Sequence, residues 1–224
     1  GSLRYSFAKA FRAPTINELY WNEPAWGMFG NPDLRPEKSD SFNITYEKMF
    51  RGTSFSAGYY RNLITDMISW TETSPFVWQT QNINSAKVEG MSIGLKQEII
   101  PGLSFYADYN KEEVSDRTSG TIIPYSPAYK VNAGLELFVD GLSININSRD
   151  VSSVYTDTAN TKTLPAYRVV DLVVSKDLLS AKLTASLFNM FDETYYESVG
   201  SSTVDWQERG YPMPGRRFEV RVSL

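Results

Sequence analysis

Cysteine and histidine are both absent from the 224 residues. The first absence excludes disulfides and thiolate metal sites. The second removes the commonest general base and metal ligand. No apolar run approaches the roughly 20 residues that a membrane-spanning helix needs. Basic residues are not in excess: 22 Lys and Arg against 26 Asp and Glu leave a net charge of −4, so no nucleic-acid footprint is present. Catalysis is disfavoured too. Without His, a Ser nucleophile needs a Lys or carboxylate base in an unusual arrangement. The adjacent Glu112 and Glu113 point to opposite faces of a strand. The chain therefore reads as no enzyme, with no catalytic residue, metal site or cofactor.

What is present is aromatic: 14 Tyr, 12 Phe and 5 Trp, residues that suit strands and membrane-interface belts. The final residues, Arg217 to Leu224, alternate. Phe218, Val220, Val222 and Leu224 share one face of an extended strand, and Arg217, Glu219, Arg221 and Ser223 share the other. The same period recurs from Leu3 to Phe11, from Ser41 to Met49, and from Phe55 to about Trp70. A fourth strand ends on Val88, Met91, Ile93 and Leu95, with a bulge or kink expected at Gly90. Leu103 to Tyr109, Val131 to Leu137, Leu142 to Ile146, Val170 to Val174 and Leu183 to Leu187 complete about ten strands. Short turns fall near 51, 101, 140 and 178, with Asp140-Gly141 the clearest hairpin signal. Long loops fall at 12–38, 71–76, 112–126, 152–165 and 192–216. Short turns at one end and long loops at the other mark an all-β, antiparallel, up-and-down transmembrane β-barrel. Several runs reach ten to fourteen residues, beyond the mode for soluble sheets. On this reading Phe42, Ile44, Val131, Leu135, Ile144, Ile146, Leu172, Leu183, Leu187, Val220 and Val222 face lipid. Asn43, Asn145, Asp171, Glu219 and Arg221 face an aqueous lumen. A soluble carbohydrate-binding β-sandwich, with Trp and Tyr exposed to stack on sugars, is the competing reading.

A set of short motifs, each weak alone, resembles the barrel of TonB-dependent outer-membrane receptors when taken in order. They are Phe11-Arg12-Ala13-Pro14-Thr15, Gly30-Asn31-Pro32-Asp33-Leu34-Arg35-Pro36-Glu37, Tyr60-Arg61-Asn62 with Ile64 and Asp66-Met67-Ile68, and Asn82-Ile83-Asn84 before Val88-Glu89-Gly90. Leu187-Phe188-Asn189-Met190-Phe191-Asp192 with Tyr195 follows, and Tyr211-Pro212-Met213-Pro214-Gly215-Arg216-Arg217-Phe218 closes the series. The resemblance implies a 22-stranded barrel around a globular plug. It implies uptake of a scarce nutrient such as a ferric siderophore or cobalamin across the outer membrane of a Gram-negative bacterium, driven through TonB. Residues 1–224 would be the C-terminal barrel segment, without the plug and the first barrel strands. Leu224 departs from the aromatic residue that usually ends such barrels. The implied partners are the lipid bilayer, the plug domain and N-terminal strands, TonB through the plug, and a small metal chelate.

Trp21, Trp26, Phe29, Trp78, Tyr155, Trp206 and Arg209 lie on or beside the long loops and are the candidate ligand contacts, against the simpler role of interface anchoring. Arg217, Glu219 and Arg221 would pair either with the plug or with wall residues such as Asp171. An open sheet exposes unpaired backbone groups at both edges. Three arrangements would satisfy them: the missing strands supplied by another chain, two copies joined edge to edge, or, for ten strands made alone, closure with Leu3 to Phe11 against Arg217 to Leu224.

Overall fold

The computed structural model describes residues 1–201 and 208–223. Ten long strands make one antiparallel sheet. They are β1 (Ser2–Arg12), β2 (Glu37–Phe50), β3 (Thr53–Ser74), β4 (Val77–Ile100), β5 (Leu103–Asp116), β6 (Tyr129–Val139), β7 (Leu142–Val151), β8 (Tyr167–Leu178), β9 (Ala181–Phe188) and β10 (Arg217–Ser223). Each pairs with its neighbour in chain order from β1 to β10. The sandwich reading fails here, because no second sheet faces this one among the described residues. The expected closure fails as well: β1 and β10 are not paired to each other. Closure requires strand number, tilt and stagger to agree, and unbroken in-register pairing does not by itself bring the two ends together.

The four short turns are built as their residues dictate. Arg51 and Gly52 take φ of 45° and 76°, and Asp140 and Gly141 take 48° and 73°. Both pairs are the mirror-image turns whose twist matches a hairpin. Pro101 leads Gly102 at φ 83°, and Leu179 is forced to 36° at the fourth turn. The opposite end carries the long connections, with one exception. The expected loop at 71–76 is a two-residue turn, Pro75-Phe76, at the tip of the β3–β4 hairpin. Its strands run 22 and 24 residues. About 9–11 residues suffice to cross a bilayer, so roughly half of this hairpin stands clear of the other strands.

Register divides the sheet into two faces. Following the pairs from Ile44 through Tyr59, Met91, Lys111 and Tyr129, and from Leu135 through Ile146, Leu172, Leu187 and Phe218, traces the apolar face. Asn43, Asn145, Asp171, Glu219 and Arg221 all lie on the other. Gly90 makes no bulge. It sits opposite Tyr60 and Glu112 in unbroken pairing, so Val88 belongs to the polar face and Met91 to the apolar one. What Gly90 supplies is space. A Cβ there would stand 2.6 Å from Tyr60 Cζ and Oη, and the ring lies across it so that its hydroxyl donates to Glu112 Oε2 at 2.6 Å. Gly134 repeats the arrangement: Tyr106 lies across it and donates to Asn147 Oδ1 at 2.9 Å. Each tyrosine thus spans three adjacent strands.

Candidate functional site

Two clusters form at the loop end of the polar face. The first is the docking of residues 13–36 on the protruding hairpin. A five-residue helix, Ile16–Tyr20, starts on a capping box in which Thr15 Oγ1 accepts from Glu18 N and Glu18 Oε2 accepts from Thr15 N at 2.7 Å. This helix lies within the expected long loop at 12–38, where Thr15-Ile16-Asn17-Glu18 carries the capping-box signature. Arg12 then ties the loop to the wall. Its guanidinium forks onto Glu37 at 2.8 and 2.7 Å and reaches both oxygens of Glu18 at 3.1 and 3.0 Å. Burial pushes the Glu18 carboxyl up, but hydrogen bonds from Arg12 and Thr15 outweigh it and hold the group below the usual carboxylate range.

Further along, the hairpin grips the loop by its backbone. Thr80, fully buried, donates to Glu18 O at 2.6 Å. Asn82 accepts from Arg35 N and donates to Arg35 O, both at 2.9 Å. Met28–Phe29 pairs in parallel with Trp78–Gln79 on the free edge of β4. Gly27 makes this approach possible. Its φ is 64°, and a Cβ there would collide with Phe76 O at 2.1 Å. Trp21, Trp26, Phe29 and Trp78, all expected from sequence, are brought to this one region. Trp26 is 77% exposed and Phe76 beside it 84%.

The second cluster lies where β6, β7 and β8 end. A cavity of about 290 Å³ is bounded by Tyr125, Lys130, Arg149, Tyr167, Tyr196 and Glu197, with smaller residues between them. Arg149 lies 5.8 Å from the Tyr167 ring centroid, 3.5 Å from the Tyr195 hydroxyl and 3.8 Å from Glu197 Oε1. Tyr167 donates to the same Glu197 oxygen at 2.7 Å and packs its ring 4.5 Å from that of buried Tyr195. Lys130 makes no ion pair among the described residues. The loops are tied over this site: Tyr125 N donates to Tyr155 O at 2.8 Å, and Asn160 bonds both backbone groups of Ile122 at 2.7 and 2.8 Å. Two cations, one carboxylate and several phenols suit an oxygen-rich anionic ligand.

Of the seven loop candidates, Tyr155 reaches this cluster through its backbone. Trp206 lies outside the described residues, as does the Arg209 side chain. Lys130, Arg149, Tyr167 and Tyr196 were missed. For Lys130, Arg149 and Tyr167 the signal was a charge or phenol on the polar face within two residues of a strand's loop end, while Tyr196 lies in the 192–216 connection and carried none. Of the two roles left open for Arg217, Glu219 and Arg221, pairing with Asp171 does not form among the described residues: Asp171 Oδ1 accepts from Asn189 N at 2.8 Å. Arg217 instead pairs with Glu219 at 3.1 Å and covers the Phe188 ring at 4.7 Å. No group of three carboxylates able to hold a metal ion forms among the described residues.

These features define a class before any family: the wall of a large up-and-down barrel, smooth at one end and elaborated at the other. The family described as TonB dependent receptor-like, beta-barrel matches residues 1–190, and the chain belongs to it. The vitamin B12 transporter BtuB of Photobacterium profundum is 27% identical over 209 residues, 90% of this chain and 32% of its own length. The ferrioxamine B receptor of Salmonella typhimurium is 28% identical over 187 residues, 75% of this chain and 26% of its own. Among solved structures, the copper transporter OprC superposes with a TM-score of 0.82 at 21% identity, covering 98% of this chain and 36% of that one. The ferric enterobactin receptor PfeA of Pseudomonas aeruginosa gives 0.80 at 21%, covering 98% and 37%. The chain thus spans about a third of its relatives. Its arc matches part of a larger wall, which is why its edges stay apart. The family places it in the outer membrane of a Gram-negative bacterium, among receptors and transporters.

Proposed function

We propose that residues 1–224 form the C-terminal part of the barrel of a TonB-dependent receptor that imports a metal chelate, a ferric siderophore or cobalamin. The plug and further strands complete the barrel against the two open edges, and TonB acts through the plug. The polar face lines the lumen and the apolar face meets lipid. The long hairpin and the loops it carries point outward from the cell.

The observation that carries this reading is the Lys130–Arg149–Tyr167 cavity. It combines cations and phenols on the polar face, at the loop end, with loops 117–128 and 152–166 tied together above it. The names of the relatives, a cobalamin transporter and siderophore receptors, support the ligand class.

The test uses the full-length receptor carrying Lys130→Ala and Arg149→Ala, titrated with ferric siderophores and with cyanocobalamin. Hydrogen bonds to charged groups are worth about 1.5–3 kcal/mol each, so affinity for the cognate ligand should fall by about a hundredfold or more when both are removed. Removing residues 193–210 should weaken uptake while the barrel still migrates as folded, and changes in the turns at 51, 101, 140 and 178 should be silent. Unchanged affinity in the double variant would move the site to the remainder of the receptor.

A further inference from the structure

The apolar face carries a site of its own. Toward the loop end its side chains turn from apolar to charged at one level: Phe7 gives way to Lys9, Phe42 to Asp40 and Lys38, Tyr59 to Arg61, and Tyr109 to Lys111. Elsewhere along this level several of the charges satisfy one another. Lys87 lies 3.2 Å from Glu89 and 3.0 Å from Glu113, and Arg168 lies 2.6 Å from Asp150.

Across β1 to β3 the balance differs. Register sets Lys9 against Asp40 and Asp40 against Leu63, and one row higher Phe11 against Lys38 and Lys38 against Thr65. These side chains and Arg117 border an open groove of about 680 Å³. Asp40 is the one carboxylate lining it, and Lys9 already stands 3.7 Å away. Lys38 and Arg117 make no ion pair among the described residues. The groove therefore has an apolar floor, built by Phe11, Leu63 and the lysine stems, and an uncompensated cationic rim. Long basic side chains commonly lay their stems on apolar surface and hold the charge where headgroups lie.

We propose that this groove binds the phosphorylated headgroup of an outer-leaflet lipid. Lys38 and Arg117 donate to phosphate oxygens, and Phe11 and Leu63 receive the first methylenes of an acyl chain. The placement rests on the outward assignment of the apolar face. Lys9, shared with Asp40, contributes least.

The experiment uses the full-length receptor in detergent, with bisphosphorylated lipid A as probe and native mass spectrometry as readout. Each cation near an anionic lipid surface contributes about fivefold to binding, so Lys38→Ala with Arg117→Ala should lower lipid A retention about 25-fold. Arg51→Ala, at the far end of the wall, should leave it unchanged. Equal retention in the double variant, or an equal loss with Arg51→Ala, would overturn the proposal. Displacement of lipid A by millimolar inorganic phosphate would do so too, by reassigning the groove to free phosphate. Facing is read separately from a spin label at Ile44→Cys. A label reached by water-soluble rather than lipid-soluble relaxant overturns the outward assignment and the proposal with it. A lipid-accessible label with unchanged retention overturns the proposal alone.

Discussion

Gly90→Ala should be among the costliest single-methyl additions in the wall. The new Cβ would stand 2.6 Å from Tyr60 Cζ, from its hydroxyl and from Lys111 O, where carbon contacts settle at about 3.5–4.0 Å. Strand pairing holds the Lys111 carbonyl, so the Tyr60 ring has to swing away. That movement breaks its 2.6 Å hydrogen bond to Glu112, and a bond to a charged group is worth about 1.5–3 kcal/mol. Overpacking adds about 1–3 kcal/mol, for a total of about 2.5–6 kcal/mol. The assay is urea unfolding of the refolded full-length receptor, run as a cycle with Tyr60→Ala. With the ring gone, Gly90→Ala should lose about 2 kcal/mol of its cost and keep the share due to the Lys111 carbonyl. Strictly additive costs would show that the ring does not occupy the space above Gly90, and the three-strand joint would have to be abandoned.

Two further outcomes follow from the same geometry. Ile144 stands between Leu137 and Val174 on the apolar face, so Ile144→Arg should destabilise the inserted barrel by about 2–4 kcal/mol. Asn145→Arg, between Glu136 and Val173 on the other face, should cost well under that, and equal costs would refute the assignment of faces. The anchoring of residues 13–36 should also depend on pH. The Glu18 carboxyl is held below its ordinary value when folded. Its contribution is therefore complete above the unfolded glutamate pKa of about 4.3 and is lost as pH falls through the lower folded value. Glu18→Gln should lower backbone protection of this loop by about tenfold near neutrality, the low end for bonds to a charged group, as read by hydrogen exchange. A pH profile identical to that of the unsubstituted protein would remove Glu18 from the latch.

Alternation made the wall legible. A period of two in Phe218 to Val222 or Leu142 to Ile146 specifies both the strand and its faces, and Asp140-Gly141 specifies a turn whatever surrounds it. The β3–β4 extension was not legible for a physical reason: beyond the bilayer both faces are wet, so Thr71 to Ser74 and Val77 to Gln81 need no apolar alternation to remain paired. Gly90 misled because the step from Val88 to Met91 looks like a shift of register, when it is a valine on the polar face beside a position cleared for a tyrosine. The Arg149 cavity joins residues more than 70 positions apart, from Tyr125 to Glu197, and no spacing rule brings them together. The exposed tryptophans were visible as types, while their gathering at one hairpin depends on the parallel pairing of Met28 with Trp78.

That hairpin holds its loop largely through the loop's main chain, with one side-chain clasp between Arg35 and Asp66 at 2.6 Å. Thr80 reads the carbonyl of residue 18, Asn82 reads both backbone groups of residue 35, and Trp78 N donates to the carbonyl of residue 27 at 2.7 Å. None of these grips asks what side chain the loop carries at the bonded position, apart from the glycine needed at 27. Substitutions in residues 16–35 other than at Glu18, Gly27, Gly30, Leu34 and Arg35 can therefore change the chemistry displayed without releasing the segment from its mount. The fold thus separates what fixes this segment in place from what the segment displays.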